Sequence, residues 1–171
     1  DTFDIEVLVH EEVDLYRAQE RDISIYLKTA SDMPKIEADA GRVRQILHNL
    51  LRNAVEALDH TTNGRIDVDV SAAEVHEVDV VEIVVTDNGP GFQSNTLGQI
   101  FDPYVTTKPK GTGLGLAIVK KLVEEHAGTI DAENCSEGGA RIRIQLPVNE
   151  IARGQMMAKL PGRTEKRRER A

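Results

Sequence analysis

Three glycines in alternate positions, in Lys110-Gly111-Thr112-Gly113-Leu114-Gly115-Leu116-Ala117, stand immediately ahead of apolar residues at helical spacing: Leu114, Ala117, Ile118, Leu122 and Val123. The chain must therefore turn tightly and enter a helix with its first backbone N–H groups uncovered by side chains. Those amides and the positive end of the helix dipole make an anion cradle. A glycine-rich helix start on its own also serves a chain that merely turns sharply. What adds weight is company: Asn49 and Asn53 on an earlier helix, Asp87-Asn88-Gly89-Pro90-Gly91 after a strand, and Lys108 just before the glycines.

The 171 residues suit one domain with its own core. Charge is divided unevenly. Residues 148–171 hold seven Lys/Arg against three Glu, whereas residues 1–147 hold fourteen Lys/Arg against twenty-six acids. An acidic body argues against a nucleic-acid-binding surface. Cys135 is the single cysteine, which excludes an intrachain disulfide and fits a reducing compartment. No apolar run reaches the roughly 20 residues that span a bilayer. A start at Asp1 without Met suggests a fragment of a longer protein.

Along the chain, Asp4 is placed to cap a helix running to about Arg21 with Ile5, Leu8, Val9, Val13 and Tyr16 on one face. A strand from Ile23 to Leu27 follows. Asp39 caps a second helix to about His60, apolar at Val43, Ile46, Leu47, Leu50, Leu51, Ala54, Val55 and Leu58 and polar at Arg42, Gln45, Asn49, Arg52, Asn53 and Glu56. Thr62-Asn63-Gly64 reads as a turn into a strand with one wet face, in which Ile66, Val68 and Val70 alternate with Asp67 and Asp69. Val78 to Thr86 reads as a central strand buried on both sides. Residues 89–112 lose periodicity and read as a long loop, either a functional lid or a disordered insertion. The third helix is expected to stop at Gly128, with a hairpin of Thr129 to Asn134 and Ala140 to Leu146 closing the domain. Beyond it, 148–171 reads as a basic, flexible tail in which a short helix is allowed.

Asn49 and Asn53 lie four apart, so on a helix both carboxamides point the same way. A carboxamide oxygen is a hard ligand suited to Mg²⁺, which takes its other ligands from water and substrate phosphates. Asp87, ending the central strand beside glycines, can accept a hydrogen bond from an exocyclic amino group such as that of adenine. Its plainer role is an Asx-turn that closes the strand. Lys108 is a mobile point charge suited to a γ-phosphate.

Taken in order, these segments resemble the catalytic ATP-binding domain of sensor histidine kinases, in the superfamily that also holds gyrase, the Hsp90 chaperones and MutL. The matching segments are Asn49-Leu50-Leu51-Arg52-Asn53-Ala54, Asp87-Asn88-Gly89-Pro90-Gly91, Phe101-Asp102-Pro103-Tyr104 and Gly111-Thr112-Gly113-Leu114-Gly115-Leu116. The wording of Phe101 to Lys108 and Gly111 to Ile118 is most similar to the nitrogen-regulation sensor kinases. The resemblance implies an α+β fold, a two-layer α/β sandwich of Bergerat type in which a mixed sheet of about five strands is covered on one face by three helices. It implies ATP and Mg²⁺ as cofactors, with Asn53 the metal ligand and Asn49, Asn53 and Lys108 serving phosphoryl transfer. Asp87, with Gly89 and Gly91, would read adenine. Gly111, Thr112, Gly113, Leu114, Gly115 and Leu116 would cradle the phosphates, and Phe101 with Pro103 would anchor the lid. Two departures stand out: Ala140 follows Gly139 where many relatives carry a threonine, and Glu56 stands where many carry a basic residue.

The hydrolysing branch of that superfamily would be expected to carry a glutamate at position 49, and Asn49 cannot act as a general base. The resemblance therefore implies a protein-histidine kinase. The γ-phosphoryl group would pass to a histidine on a separate dimerisation and phosphoacceptor domain, for onward transfer to a response regulator receiver domain. None of His10, His48, His60, His76 and His126 lies in an acceptor motif, so this piece is expected not to phosphorylate itself. The fragment is expected to be a cytoplasmic monomer, and the parent a homodimer that can be anchored in the inner membrane. A non-catalytic nucleotide-binding module and an ATP-hydrolysing clamp or chaperone remain as alternatives.

Overall fold

The computed structural model describes residues 1–106 and 113–160. The chain runs β1 (Thr2–Phe3), α1 (Ile5–Gln19), β2 (Ser24–Thr29), β3 (Ile36–Glu37), α2 (Ala40–Ala57), β4 (Arg65–Val75), β5 (Val78–Asp87), α3 (Gly115–Glu125), β6 (Thr129–Asn134), β7 (Ala140–Pro147) and α4 (Glu150–Lys159). A 3₁₀ turn, Leu97–Gln99, interrupts the segment after β5.

Five strands form one mixed sheet in the order β2-β4-β5-β7-β6, in which β2 and β4 run parallel and every other neighbour pair is antiparallel. Alternation decides its two faces. Ile66, Val68, Val70, Ile83, Val85, Ile142, Ile144 and Leu146 are all buried on one side. The other side is charged and half-buried or exposed. There Arg143 lies between Glu82, at 3.6 Å, and Asp131, at 3.7 Å, and Gln145 donates to Glu82 at 2.7 Å. Glu82, Val84 and Thr86 lie on that open side, so β5 is buried on one face along most of its length rather than on both.

The helices cover the apolar face for reasons written in their spacing. Asp4 accepts from the Glu6 N–H at 2.9 Å and opens α1, and Asp39 accepts from the Arg42 N–H at 3.1 Å and opens α2. Val43, Ile46, Leu47, Leu50, Leu51 and Ala54 of α2 enter the core, joined by Val119, Leu122 and Val123 of α3. The Tyr16 hydroxyl of α1 donates to the His48 carbonyl at 3.2 Å and lies 3.1 Å from His48 Nδ1, pinning α1 to α2. Helix α3 ends with Ala127 in the left-handed region, φ 56°, one residue before the expected stop, and Gly128 donates back to the Val123 carbonyl at 2.9 Å.

Four further elements depart from or extend the sequence reading. Strand β4 continues to Val75 and joins β5 through His76 and Glu77, both at positive φ (50° and 63°), a two-residue turn without glycine. The two-residue strands β1 and β3 pair with each other apart from the main sheet. A fourth helix, α4, forms where the sequence allows a short helix within its tail. Asn149 caps it by accepting from the Ala152 N–H at 2.9 Å, and Met156 and Ala152 are buried in the common core. Arg153 lies 3.6 Å from Glu37 and Lys159 3.1 Å from Glu77, so the helix is fixed at both ends. Residues 161–171 lie outside the described residues.

Candidate nucleotide site

The parity that builds the core also aims Asp87. Ile83, Val85 and Asp87 share one face of β5, so the carboxylate emerges at the end of the strand toward the helices rather than toward the open face. It is 5% exposed. Its Oδ1 accepts from the Gly89 N–H at 2.9 Å and from the Ala140 N–H at 3.4 Å. The first contact is an Asx-turn, the plainer of the two sequence readings. The second ties the carboxylate to the first residue of β7 and fixes its plane. Gly139 makes that approach feasible: at φ 93°, a Cβ there would stand 1.9 Å from the Asp87 carbonyl oxygen.

Asp87 opens into a cleft of about 960 Å³ between α2, α3 and the segment after β5. That is at the upper end of the range of roughly 300–1,000 Å³ typical of small-molecule sites. Asn49 and Asn53 line it from α2, and Gly113, Leu114, Gly115 and Leu116 line it from the start of α3. Asn49 Nδ2 donates to the Gln45 carbonyl at 3.0 Å, which turns Oδ1 toward Gly115, where a Cβ would come within 3.6 Å. Leu114, at the N-cap position of α3, supplies no side-chain cap. Leu114, Gly115 and Leu116 line the cleft, so the start of α3 and its positive dipole end face it. Gly113, at φ 70°, accepts from the Tyr104 N–H at 2.9 Å, and a Cβ at that glycine would fall 2.5 Å from the Tyr104 carbonyl carbon.

The far wall is braced by carboxamides. Asn134 accepts from the Phe92 N–H at 2.7 Å and donates to the Phe92 carbonyl at 2.8 Å, holding the root of the post-β5 segment against β6. Asn88 accepts from the Arg65 N–H at 2.7 Å and donates to the Asn63 carbonyl at 3.0 Å.

Of the residues expected from sequence, Asn49, Asn53, Asp87, Gly89, Gly91, Gly113, Leu114, Gly115 and Leu116 come together in this one cleft. Lys108, Gly111 and Thr112 lie outside the described residues. Phe101 is half-buried but does not line the cleft, and Pro103 is exposed. The neighbouring Ile100, 6% exposed and directly after the 3₁₀ turn, lines the cleft instead. Sequence reasoning also missed the backbone of Ala140 as a partner of Asp87; the only signal was its position at the start of a strand next to β5. His48 faces α1 through Tyr16 and does not line the cleft. Burial, and next the charge of Glu12, push the Tyr16 phenol up to about 12.

Asn53 lines the same cleft, and a carboxamide oxygen is of the hard type that suits a divalent ion shared with phosphates. Among the described residues, no group of three or more His, Cys, Asp or Glu side chains is arranged to hold a metal by itself. No helix among them is long and apolar enough to cross a membrane.

A two-layer α+β sandwich whose cleft is lined by a buried carboxylate and the start of a helix defines a nucleotide-binding domain. The chain belongs to the histidine kinase-, DNA gyrase B- and HSP90-like ATPase family, whose profile matches residues 38–150. It is 42% identical over 129 residues to the sensor histidine kinase ZraS of Escherichia coli O157:H7, covering 75% of this chain and 27% of that protein. It is 41% identical over 113 residues to a putative sensor histidine kinase NtrY-like of Rickettsia conorii, covering 66% of this chain and 18% of the relative. The catalytic domain of histidine kinase ThkA superposes with a TM-score of 0.78 at 31% identity, covering 89% of this chain and 97% of that one. The same kinase, solved in complex with response regulator protein TrrA, gives a TM-score of 0.71 at 28% identity, over 86% of this chain and 41% of that one. The chain thus spans about a quarter or less of the curated relatives' length.

Proposed function

We propose that this chain is the ATP-binding catalytic part of a two-component sensor histidine kinase, and that it donates the γ-phosphoryl group of ATP to a histidine carried elsewhere in the parent protein. The single observation that carries this reading is the cleft itself, in which Asp87 is held rigid by two backbone amides while Asn49, Asn53 and the start of α3 line the same space.

In this reading Asp87 accepts from the adenine amino group, with Gly89 and Gly91 leaving room for the flat base. The amides at Gly113 to Leu116, continued by Gly111 and Thr112, take the phosphates. Asn53 would hold Mg²⁺, which when bound would neutralise charge on the transferring group. Lys108 serves the γ-phosphate. Asn49 orients its neighbours without abstracting a proton, so water is a poor acceptor and the phosphoryl group waits for an imidazole nitrogen. Partners follow from that chemistry and from the relatives' names: a dimerisation and phosphoacceptor domain in a homodimeric parent, then a response regulator. Similarity to an NtrY-like kinase supports the nitrogen-regulation affinity, and similarity to ZraS tempers it. We place the catalytic domain at 1–147 with α4 packed onto it, the domain on the cytoplasmic side and the parent anchored in the inner membrane.

The test is calorimetry with ATP and an unreactive analogue with and without Mg²⁺, followed by phosphoryl transfer to the purified acceptor domain and phosphate release in its absence. Magnesium-dependent binding, transfer to the acceptor and slow release are expected. Rapid release without an acceptor would favour the clamp or chaperone reading; binding without transfer would favour a regulatory module.

A further inference from the structure

The described lining of the cleft carries three carboxylates, Glu56, Asp59 and Asp87, and one guanidinium, Arg52, with no ammonium group among those residues. Arg52 is thus the described lining side chain that carries a permanent positive charge to meet a phosphate, beside the start of α3. Arg52 precedes Asn53 on α2 and is 64% exposed on its side chain, a head free to swing on a flexible stem. Its Nε donates to Glu56 Oε1 at 2.9 Å, one helical turn further on. This Arg-then-Glu order along a helix is the less favourable orientation of such a pair, and solvent screens it further. Among the described residues neither terminal nitrogen of Arg52 donates to a protein acceptor. The two donors that would form a fork with a phosphate are thus turned to solvent while Nε holds the head at the rim.

We propose that Arg52 is the cation by which α2 binds the nucleotide's phosphates, and that Glu56 both parks it at the rim and competes with the phosphates for it. The pair then sets how strongly the site prefers a nucleoside triphosphate to a bare nucleoside. This rests on the ATP reading above and deepens it. Guanidinium–phosphate contacts are charge-assisted and bidentate, whereas the Arg52–Glu56 contact is neither buried nor forked, so the exchange favours the ligand.

The experiment is calorimetry of the chain with Mg-ATP, Mg-ADP and adenosine for the wild type, Arg52→Gln, Arg52→Lys, Glu56→Gln and the Arg52→Gln/Glu56→Gln double variant, each checked for an unchanged circular dichroism spectrum. Arg52→Gln is expected to bind Mg-ATP about tenfold more weakly and adenosine within about twofold of the wild type, as loss of one exposed charge-assisted contact requires. Arg52→Lys should recover part of the loss. Glu56→Gln should tighten Mg-ATP binding about threefold, and the double variant should lose that gain. An Arg52→Gln protein that keeps wild-type affinity for Mg-ATP, or loses ATP and adenosine equally, overturns the proposal. So does a Glu56→Gln protein that binds Mg-ATP no better than the wild type. A wild-type chain that binds neither ATP nor adenosine overturns the ATP reading and this proposal with it; wild-type binding with an indifferent Arg52→Gln variant overturns this proposal alone.

Discussion

Replacing Asp87 separates its two duties, because one oxygen belongs to the scaffold and the carboxylate as a whole belongs to the site. In Asp87→Asn the carboxamide oxygen can still accept from the Gly89 and Ala140 N–H groups, at 2.9 and 3.4 Å in the parent. The loss is the difference between a charge-assisted and a neutral acceptor, about 1 kcal/mol. In Asp87→Ala both amides lose that acceptor at a position 5% exposed. An unsatisfied buried N–H costs roughly 1–3 kcal/mol, and the 3.4 Å contact is the weaker of the two, so the sum is about 3 kcal/mol. For a domain of this size that is a fall in Tm of about 6–12 °C, against about 2–4 °C for Asp87→Asn. Binding should rank the variants differently. The carboxamide turns a donor toward the proposed adenine amino group, so Asp87→Asn should lose ATP affinity by about 100-fold or more, as badly as Asp87→Ala. Thermal unfolding by circular dichroism and calorimetry with ATP measure the two quantities on the same samples. An Asp87→Ala protein that melts with the wild type refutes the scaffold duty; an Asp87→Asn protein that keeps its affinity refutes the adenine duty.

Three further outcomes follow from the packing. Met156→Ala should cost about 2–4 kcal/mol by leaving a cavity where α4 meets the core, with nucleotide affinity unchanged; a Tm within 2 °C of the wild type would show that α4 adds nothing to the fold. Gly113→Ala places a methyl 2.5 Å from the Tyr104 carbonyl carbon at a φ of 70°, so ATP affinity should fall at least about tenfold while Tm moves by only about 3 °C. Equal Kd values would detach the Tyr104–Gly113 contact from the phosphate cradle. Tyr16, held protonated to about 12, makes its full contribution to stability below pH 10 and loses it as pH rises through 12, since the unfolded phenol ionises first. Ultraviolet titration should show one late tyrosine that disappears in Tyr16→Phe, and denaturant unfolding of that variant should decline less steeply between pH 10 and 12.

The elements with long period were legible in the chain. Asp4 and Asp39 sit where helices open, and the α2 positions from Val43 to Ala54 are buried as their 3.6 spacing requires, because a helix face is set by residues close in sequence. The same holds for the site residues carried on those elements: Asn49 and Asn53 share a face by spacing alone. What was not legible depends on neighbours distant in the chain. The β4–β5 turn uses His76 and Glu77 at positive φ without the glycine or asparagine that would have announced it, because the long antiparallel pairing on both sides holds it shut. Ile100 rather than Phe101 lines the cleft, directly after a 3₁₀ turn that is invisible to periodicity. Helix α4 has only two buried residues, Ala152 and Met156, too few to signal a docked helix amid a run of charge.

By itself, then, the sequence determined the long helices and strands, which of their faces are apolar, and which residue types are available for the proposed contacts with adenine, magnesium and phosphate. Tertiary structure alone decided that Asp87 and Ala140, fifty-three residues apart, share one hydrogen bond across β5 and β7. It also decided that the parts of α2 and α3 carrying Asn49, Asn53 and Gly115 line one cleft. Side-chain pattern is a local property that each segment carries with it, whereas the distance between two segments exists only after strand pairing and core packing have fixed both against the same sheet.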